Sequence, residues 1–171
     1  KQIENNNPFI SKYYGEIIFP KPSETQFIVI EYIDGLTLKD FIMKNKNQLP
    51  LFIKMQIIFS IIIAIHYIHS KGIILRDLKY DNIIIDSNNN AILIDFDKTI
   101  KGKIDNDDEE FTSDIGSLYF SAPEQYSLNK YSKKADIYSL GMIIHFIMTE
   151  TQFNFDAINT YEKIHRKKLN I

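Results

Sequence analysis

Cysteine and tryptophan are absent from the 171 residues, and only six glycines and five prolines occur. With no cysteine there can be no disulfide, no thiolate nucleophile and no cysteine-based zinc site. The chain is compatible with a reducing compartment, and a cytoplasmic location is the expectation. A net charge of -2 lacks the basic excess that marks nucleic-acid binding, so no nucleic-acid partner is expected. The opening residues KQIENNNPFI carry neither a signal peptide nor an initiator methionine, and the chain is expected to be a segment of a longer protein. The longest apolar run, IIFSIIIAIHYIHS (57–70), falls short of the roughly 20 residues a membrane span needs. It is expected to be a buried helix, with no membrane insertion in this segment. Of the four histidines, His66 and His69 stand three apart on that helix. No carboxylate lies beside them at ligand spacing, and ordinary helix residues are expected there in place of a metal site.

What is present fits a globular domain, with 44% hydrophobic and 25% charged residues. FISKYYGEIIF (9–19) and QFIVIEYI (26–33), divided by PKPSET, predict two strands and a turn. Thr37 is placed to cap a short helix over LKDFIMK, and Pro50 opens a longer one that Lys71-Gly72 stops. Within it Ile57, Ile61, Ala64, Ile65 and Ile68 fall on one face, and Ile58 and Ile62 are expected to widen the stripe. IIID, the polar turn SNNN (87–90) and AILIDFD predict a hairpin. Residues 98–118 read as a long acidic loop, 135–149 as a second apolar helix, and TYEKIHRKKL as a short basic helical piece.

The stretch LRDLKYDNIIID (75–86) sets Arg76, Asp77, Lys79 and Asn82 into an apolar context, where an unpaired polar group costs roughly 1–3 kcal/mol. Asp77 is a carboxylate able to accept a hydroxyl proton, Lys79 a cation, and Asn82 a neutral oxygen ligand. The predicted hairpin returns Asp95 beside Asn82. That set suits phosphoryl transfer, in which positioning and charge neutralisation dominate, and its hard oxygen donors suit magnesium. The same residues also suit plain turns, Asp95 a strand-end cap, and Asp136 a helix N-cap.

LRDLKYDN resembles the catalytic loop of eukaryotic protein kinases, IDFD their magnesium-binding Asp-Phe-Gly, GSLYFSAPE (116–124) the segment ending in Ala-Pro-Glu, and DIYSLG (136–141) the start of their central helix. FIVIEYIDG is similar to the strand and hinge that hold adenine. The resemblance implies an α+β protein kinase-like fold. Residues 1–33 would be a remnant of the N-lobe sheet and hinge strand. Residues 34–171 would be a mainly helical C-lobe, truncated at its end, with its catalytic loop over 73–82 and activation segment over 95–124.

It further implies ATP and Mg2+ as cofactors, a protein substrate, and serine/threonine specificity, which Lys79 and Ser117 favour. Asp77 would be the catalytic base and Lys79 the group stabilising the transferring phosphate. Asn82 and Asp95 would ligate the metal, and Glu31 and Ile33 would meet adenine through their backbone. Arg76 would bind a phosphate on Thr112 or Ser113, Glu124 would be structural, and Asp136 would brace the catalytic loop. Leu75 replaces the family's histidine and Asp97 its glycine. The glycine-rich loop and strand lysine are not found, and the chain alone is expected to be weakly active or inactive. Two alternatives stay open: a pseudokinase scaffolding module, and a small-molecule phosphotransferase of the kinase-like fold.

Overall fold

The computed structural model describes residues 7–19, 26–101, 120–127 and 132–151. The turn PKPSET, most of the acidic loop with Thr112, Ser113 and Ser117, and the basic piece near the end lie outside the described residues.

Strands β1 (Tyr13–Ile18) and β2 (Gln26–Ile30) form an antiparallel pair, bulged between Tyr13 and Gly15. Both are shorter than the apolar runs suggest. The first run divides: Ser11 donates its amide to the Leu93 carbonyl (2.9 Å) and Leu93 donates to Phe9 (2.9 Å), so Phe9 to Ser11 joins a different sheet in parallel.

That sheet is built from β3 (Gly35–Thr37), β5 (Ile83–Asp86) and β6 (Ala91–Leu93), all antiparallel. Asp86 makes the hairpin turn tight, because its carboxylate accepts the amides of Asn88 (2.9 Å) and Asn90 (2.8 Å). Gly35 is required where β3 meets β5: a Cβ there would stand 2.2 Å from the Ile85 carbonyl oxygen.

Helix α1 (Leu38–Lys44) starts at Thr37, whose hydroxyl accepts the Asp40 amide. Helix α2 (Leu51–Ser70) follows Pro50 and ends where Gly72 turns left-handed at φ 70°. It runs to 20 residues, long and apolar enough by length and composition to cross a membrane. Run length therefore does not decide its role. Its packing gives a physical reason for its apolarity, because Ile57, Ile61, Ala64 and Ile68 are wholly buried against β6 and α4 (Lys133–Thr149). Each large side chain so buried contributes about 1.5–3 kcal/mol. Ile62 departs from the expected stripe and stays exposed, because the helical rotation of about 100° per residue carries it farther from the centre of the buried face than Ile58 or Ile65.

The remaining described elements are β4 (Ile73–Ile74), β7 (Ile100–Lys101) and α3 (Pro123–Ser127). Pairing of Ile73 with Lys101 and Ile74 with Ile100 converts the start of the expected long loop into strand. Helix α4 begins two residues earlier than its apolar pattern. Ser132 is its N-cap and accepts the Lys134 amide (3.2 Å).

The element content, small sheets with packed helices, fits the α+β class that the resemblance implies.

Candidate active site

The loop after β4 is shaped from behind by a buried acid. Asp136, in the first turn of α4 and 1% exposed, accepts the amides of Leu75 (2.9 Å) and Arg76 (3.0 Å), and its Oδ2 takes His69 Nε2 at 2.7 Å. Asp136 is therefore not the helix cap, a place Ser132 fills. A buried carboxylate with three donors is satisfied, whereas one without them costs several kcal/mol, so the contact holds the chain turn in place. Arg76 adopts φ 70°, a left-handed state that costs a non-glycine residue roughly 1–2 kcal/mol. It is buried, not surface-exposed.

From that anchor the residues alternate. Leu75 and Leu78 sink into the core, which accepts leucine where the kinase pattern has histidine. Lys79 is thereby left partly open, and its charged end meets the nearly buried carboxylate of Asp77 at 3.0 Å. A short 3-10 turn over Tyr80–Asn82 buries Asn82, whose Nδ2 donates to the Asp77 carbonyl (3.1 Å). With its nitrogen so engaged, the amide oxygen of Asn82 is the atom a cation would use.

The hairpin brings Asp95 to this place. Ile83 pairs with Leu93, and the Ile94 amide donates to the Asn82 carbonyl (3.0 Å), so Asp95 follows directly beside Asn82. Asp95 itself is left-handed, at φ 65°. Phe96 then packs on the core, and Thr99 closes a turn by donating amide (3.2 Å) and hydroxyl (2.8 Å) to the Phe96 carbonyl.

The electrostatics divide the two acids. Burial pushes the Asp77 carboxyl up, but hydrogen bonds from Lys79 and Lys98 outweigh it and hold the group below its ordinary value. Asp95 is held above its ordinary value, by loss of solvent first and then by the carboxylates of Asp97 and Asp77. The neighbouring carboxylates of Asp97 and Asp77 disfavour the charged form of Asp95, and a cation beside it would favour that form. Asn82 and Asp95 fit a magnesium ion. Among the described residues no group of three or more His, Cys, Asp or Glu side chains could hold a metal by itself. Magnesium commonly takes few protein ligands and completes its shell with phosphates and water.

Glu31 and Ile33 lie in the connection between β2 and β3. The Glu31 amide is spent on the Lys12 carbonyl (2.7 Å) and its carboxylate on the Lys12 amide (3.0 Å), so the group it could offer a base is its carbonyl. Glu124 stands half-buried in the first turn of α3, and Ser139 ties α4 to this segment by donating to the Phe120 carbonyl (2.7 Å).

Two participants escape sequence reasoning. His69 reads as an ordinary helix residue, yet it shares Asp136; the signal was an acid opening the next apolar helix. Lys98 reads as loop, yet its Nζ lies 3.0 Å from Asp77 Oδ2. An acid and a base placed together after IDF were the clue.

Residues 3–171 match the sequence profile of the Protein kinase domain. Among curated relatives, the chain is 37% identical over 157 residues to the probable serine/threonine-protein kinase KIN1 homolog of Enterocytozoon bieneusi, covering 91% of the chain and 25% of that protein. It is 32% identical to the interferon-induced, double-stranded RNA-activated protein kinase of Mus musculus, over 84% of the chain and 31% of the relative. Identity to the cAMP-dependent protein kinase type 3 of Saccharomyces cerevisiae is 28%, over 96% of the chain and 42% of the relative. The chain thus spans less than half the length of each of these relatives.

Proposed function

This chain belongs to the protein kinase domain family, and from that premise we infer that it serves ATP-dependent phosphorylation of serine and threonine hydroxyls in protein substrates. The observation that carries this reading is the meeting of Asp77 with Lys79 at 3.0 Å, on a loop whose Asn82 is joined to the approach of Asp95.

In this reading the Asp77 carboxylate orients the substrate hydroxyl and receives its proton as the hydroxyl oxygen bonds to the γ-phosphorus of ATP and the bond to ADP breaks. Lys79 neutralises charge on the phosphoryl group in passage. Asn82 and Asp95 would hold Mg2+, which supplies neutralisation of the nucleotide phosphates. Glu31 would present its carbonyl, and Ile33 its backbone, to adenine. Lysine two places after Asp77 supports hydroxyls of serine and threonine over tyrosine, because the resemblance associates it with that class.

Transfer is expected to need a glycine-rich loop and a strand lysine, and no GxGxxG occurs in these residues. The test uses the full-length protein with generic protein substrates, ATP and Mg2+. Asp77→Asn should reduce phosphorylation by roughly a hundredfold or more while leaving folding intact. Equal activity in the variant would overturn the assignment of Asp77. Nucleotide binding without transfer by the wild type would favour a scaffolding module, and transfer confined to small molecules would favour a small-molecule phosphotransferase.

A further inference from the structure

Asp77 Oδ2 takes two ammonium groups, Lys79 Nζ and Lys98 Nζ, each at 3.0 Å. We propose that Lys98 is a positioning residue that keeps the Asp77 carboxylate aimed while Lys79 turns to the phosphoryl group. This rests on the kinase reading above and extends it to a residue outside the catalytic loop.

The two lysines reach the same oxygen from different parts of the fold. Lys79 comes from the loop itself, whereas Lys98 is carried by the turn closed by Thr99 on Phe96 and by β7, which pairs with β4 immediately ahead of the loop. The backbone of Lys98 is therefore fixed on both sides relative to Asp77. Asp77 is nearly buried, with its side chain 6% exposed, and the lysines stand at its mouth, at 22% and 38%.

In the proposed transfer Lys79 has two tasks, since the same ammonium cannot grip Asp77 and lie against the phosphoryl oxygens with equal strength. When Lys79 engages the phosphoryl group, a carboxylate held by it alone would lose its cation as the substrate hydroxyl arrives. Lys98 removes that conflict, and a carboxylate kept in place preserves the short reach that proton acceptance needs. The site also carries Asp97 where the kinase pattern has glycine. Lys98 offsets that added charge: its amine is stabilised in the charged form by Asp77 first, and by Asp97 and Asp95 as well.

A partly exposed ion pair contributes little to stability, so variants at 98 should fold. In the full-length protein, Lys98→Met should lower kcat roughly tenfold with KM for ATP nearly unchanged, and Lys98→Arg should restore most of the loss. Unchanged or raised kcat would overturn the proposal, as would a loss that falls on KM for ATP. A second readout does not depend on turnover. Lysine acylation followed by mass spectrometry should show Lys98 protected relative to exposed Lys101, and Asp77→Asn should raise the rate at Lys98 several-fold while leaving Lys101 unchanged. With ATP and Mg2+ added to the wild type, Lys98 should stay protected; loss of that protection would mean that it leaves Asp77, and the proposal fails. If the wild type transfers no phosphate to protein, the kinase reading fails, and the labelling still decides whether Lys98 holds Asp77.

Discussion

Asp136 holds Arg76 from sixty residues away, with its Oδ1 3.0 Å from the Arg76 amide. The same carboxylate takes the Leu75 amide, so the left-handed turn that presents Asp77 depends on a helix well downstream. Asp136→Ala should strand two buried amides and His69, and each unsatisfied group costs about 1–3 kcal/mol. The expected result is a lower denaturation midpoint together with loss of phosphorylation. An unaltered midpoint would contradict the bracing role.

Gly35 has no room for a side chain. An added Cβ would meet the Ile85 carbonyl oxygen at 2.2 Å and Ile84 Cγ2 at 2.8 Å, and the oxygen belongs to the backbone, which cannot rotate away. Gly35→Ala is expected to force β3 from β5 at a cost of about 1–3 kcal/mol. Urea denaturation measures the loss, and faster hydrogen exchange in β3 and β5 would place it there.

Glu150 is buried at the end of α4, where it accepts the Asn47 amide and pairs with Lys54 at 2.6 Å. The Asn47 amide, and then Lys54, hold its pKa below the ordinary 4.5. A depressed folded value means that this stability is present above the unfolded pKa and is lost as pH falls through the folded one. Thermal melting of the wild type should therefore drop, as pH is lowered below the ordinary 4.5, more steeply than that of Glu150→Gln. Lys54→Met, which leaves the carboxylate buried, should cost about 1–3 kcal/mol at neutral pH. Parallel melting curves for wild type and Glu150→Gln would refute the linkage.

How much of this was legible from residues alone differs by element. The approach of Asn82 and Asp95 was, since IIID, SNNN and AILIDFD fix the hairpin and its register follows from the turn length. The cap at Thr37 and the stop at Gly72 were equally plain. The Asp77–Lys98 contact was not, because it depends on the pairing of two two-residue strands, too short to show any periodicity. Helix α2 extends beyond its most apolar stretch because Leu51 to Gln56 add helical turns that the core does not cover fully. The cap of α4 was missed since Ser132 precedes the apolar pattern by two lysines. Asp136 reads from local chemistry as a cap, whereas the resemblance implies the brace to the loop that its bonds to Leu75 and Arg76 form.

The chain enters the β1–β2 pair at Ser11 and Lys12 and leaves it at Glu31, and these two passages run side by side, joined by the Glu31 amide on the Lys12 carbonyl. The entering passage is pinned to Leu93, two residues ahead of Asp95. Backbone hydrogen bonds thus tie the hairpin's entry to the strand that leads to Asp95, and its exit to that entry. A displacement of that hairpin would be passed through β6 to Asp95.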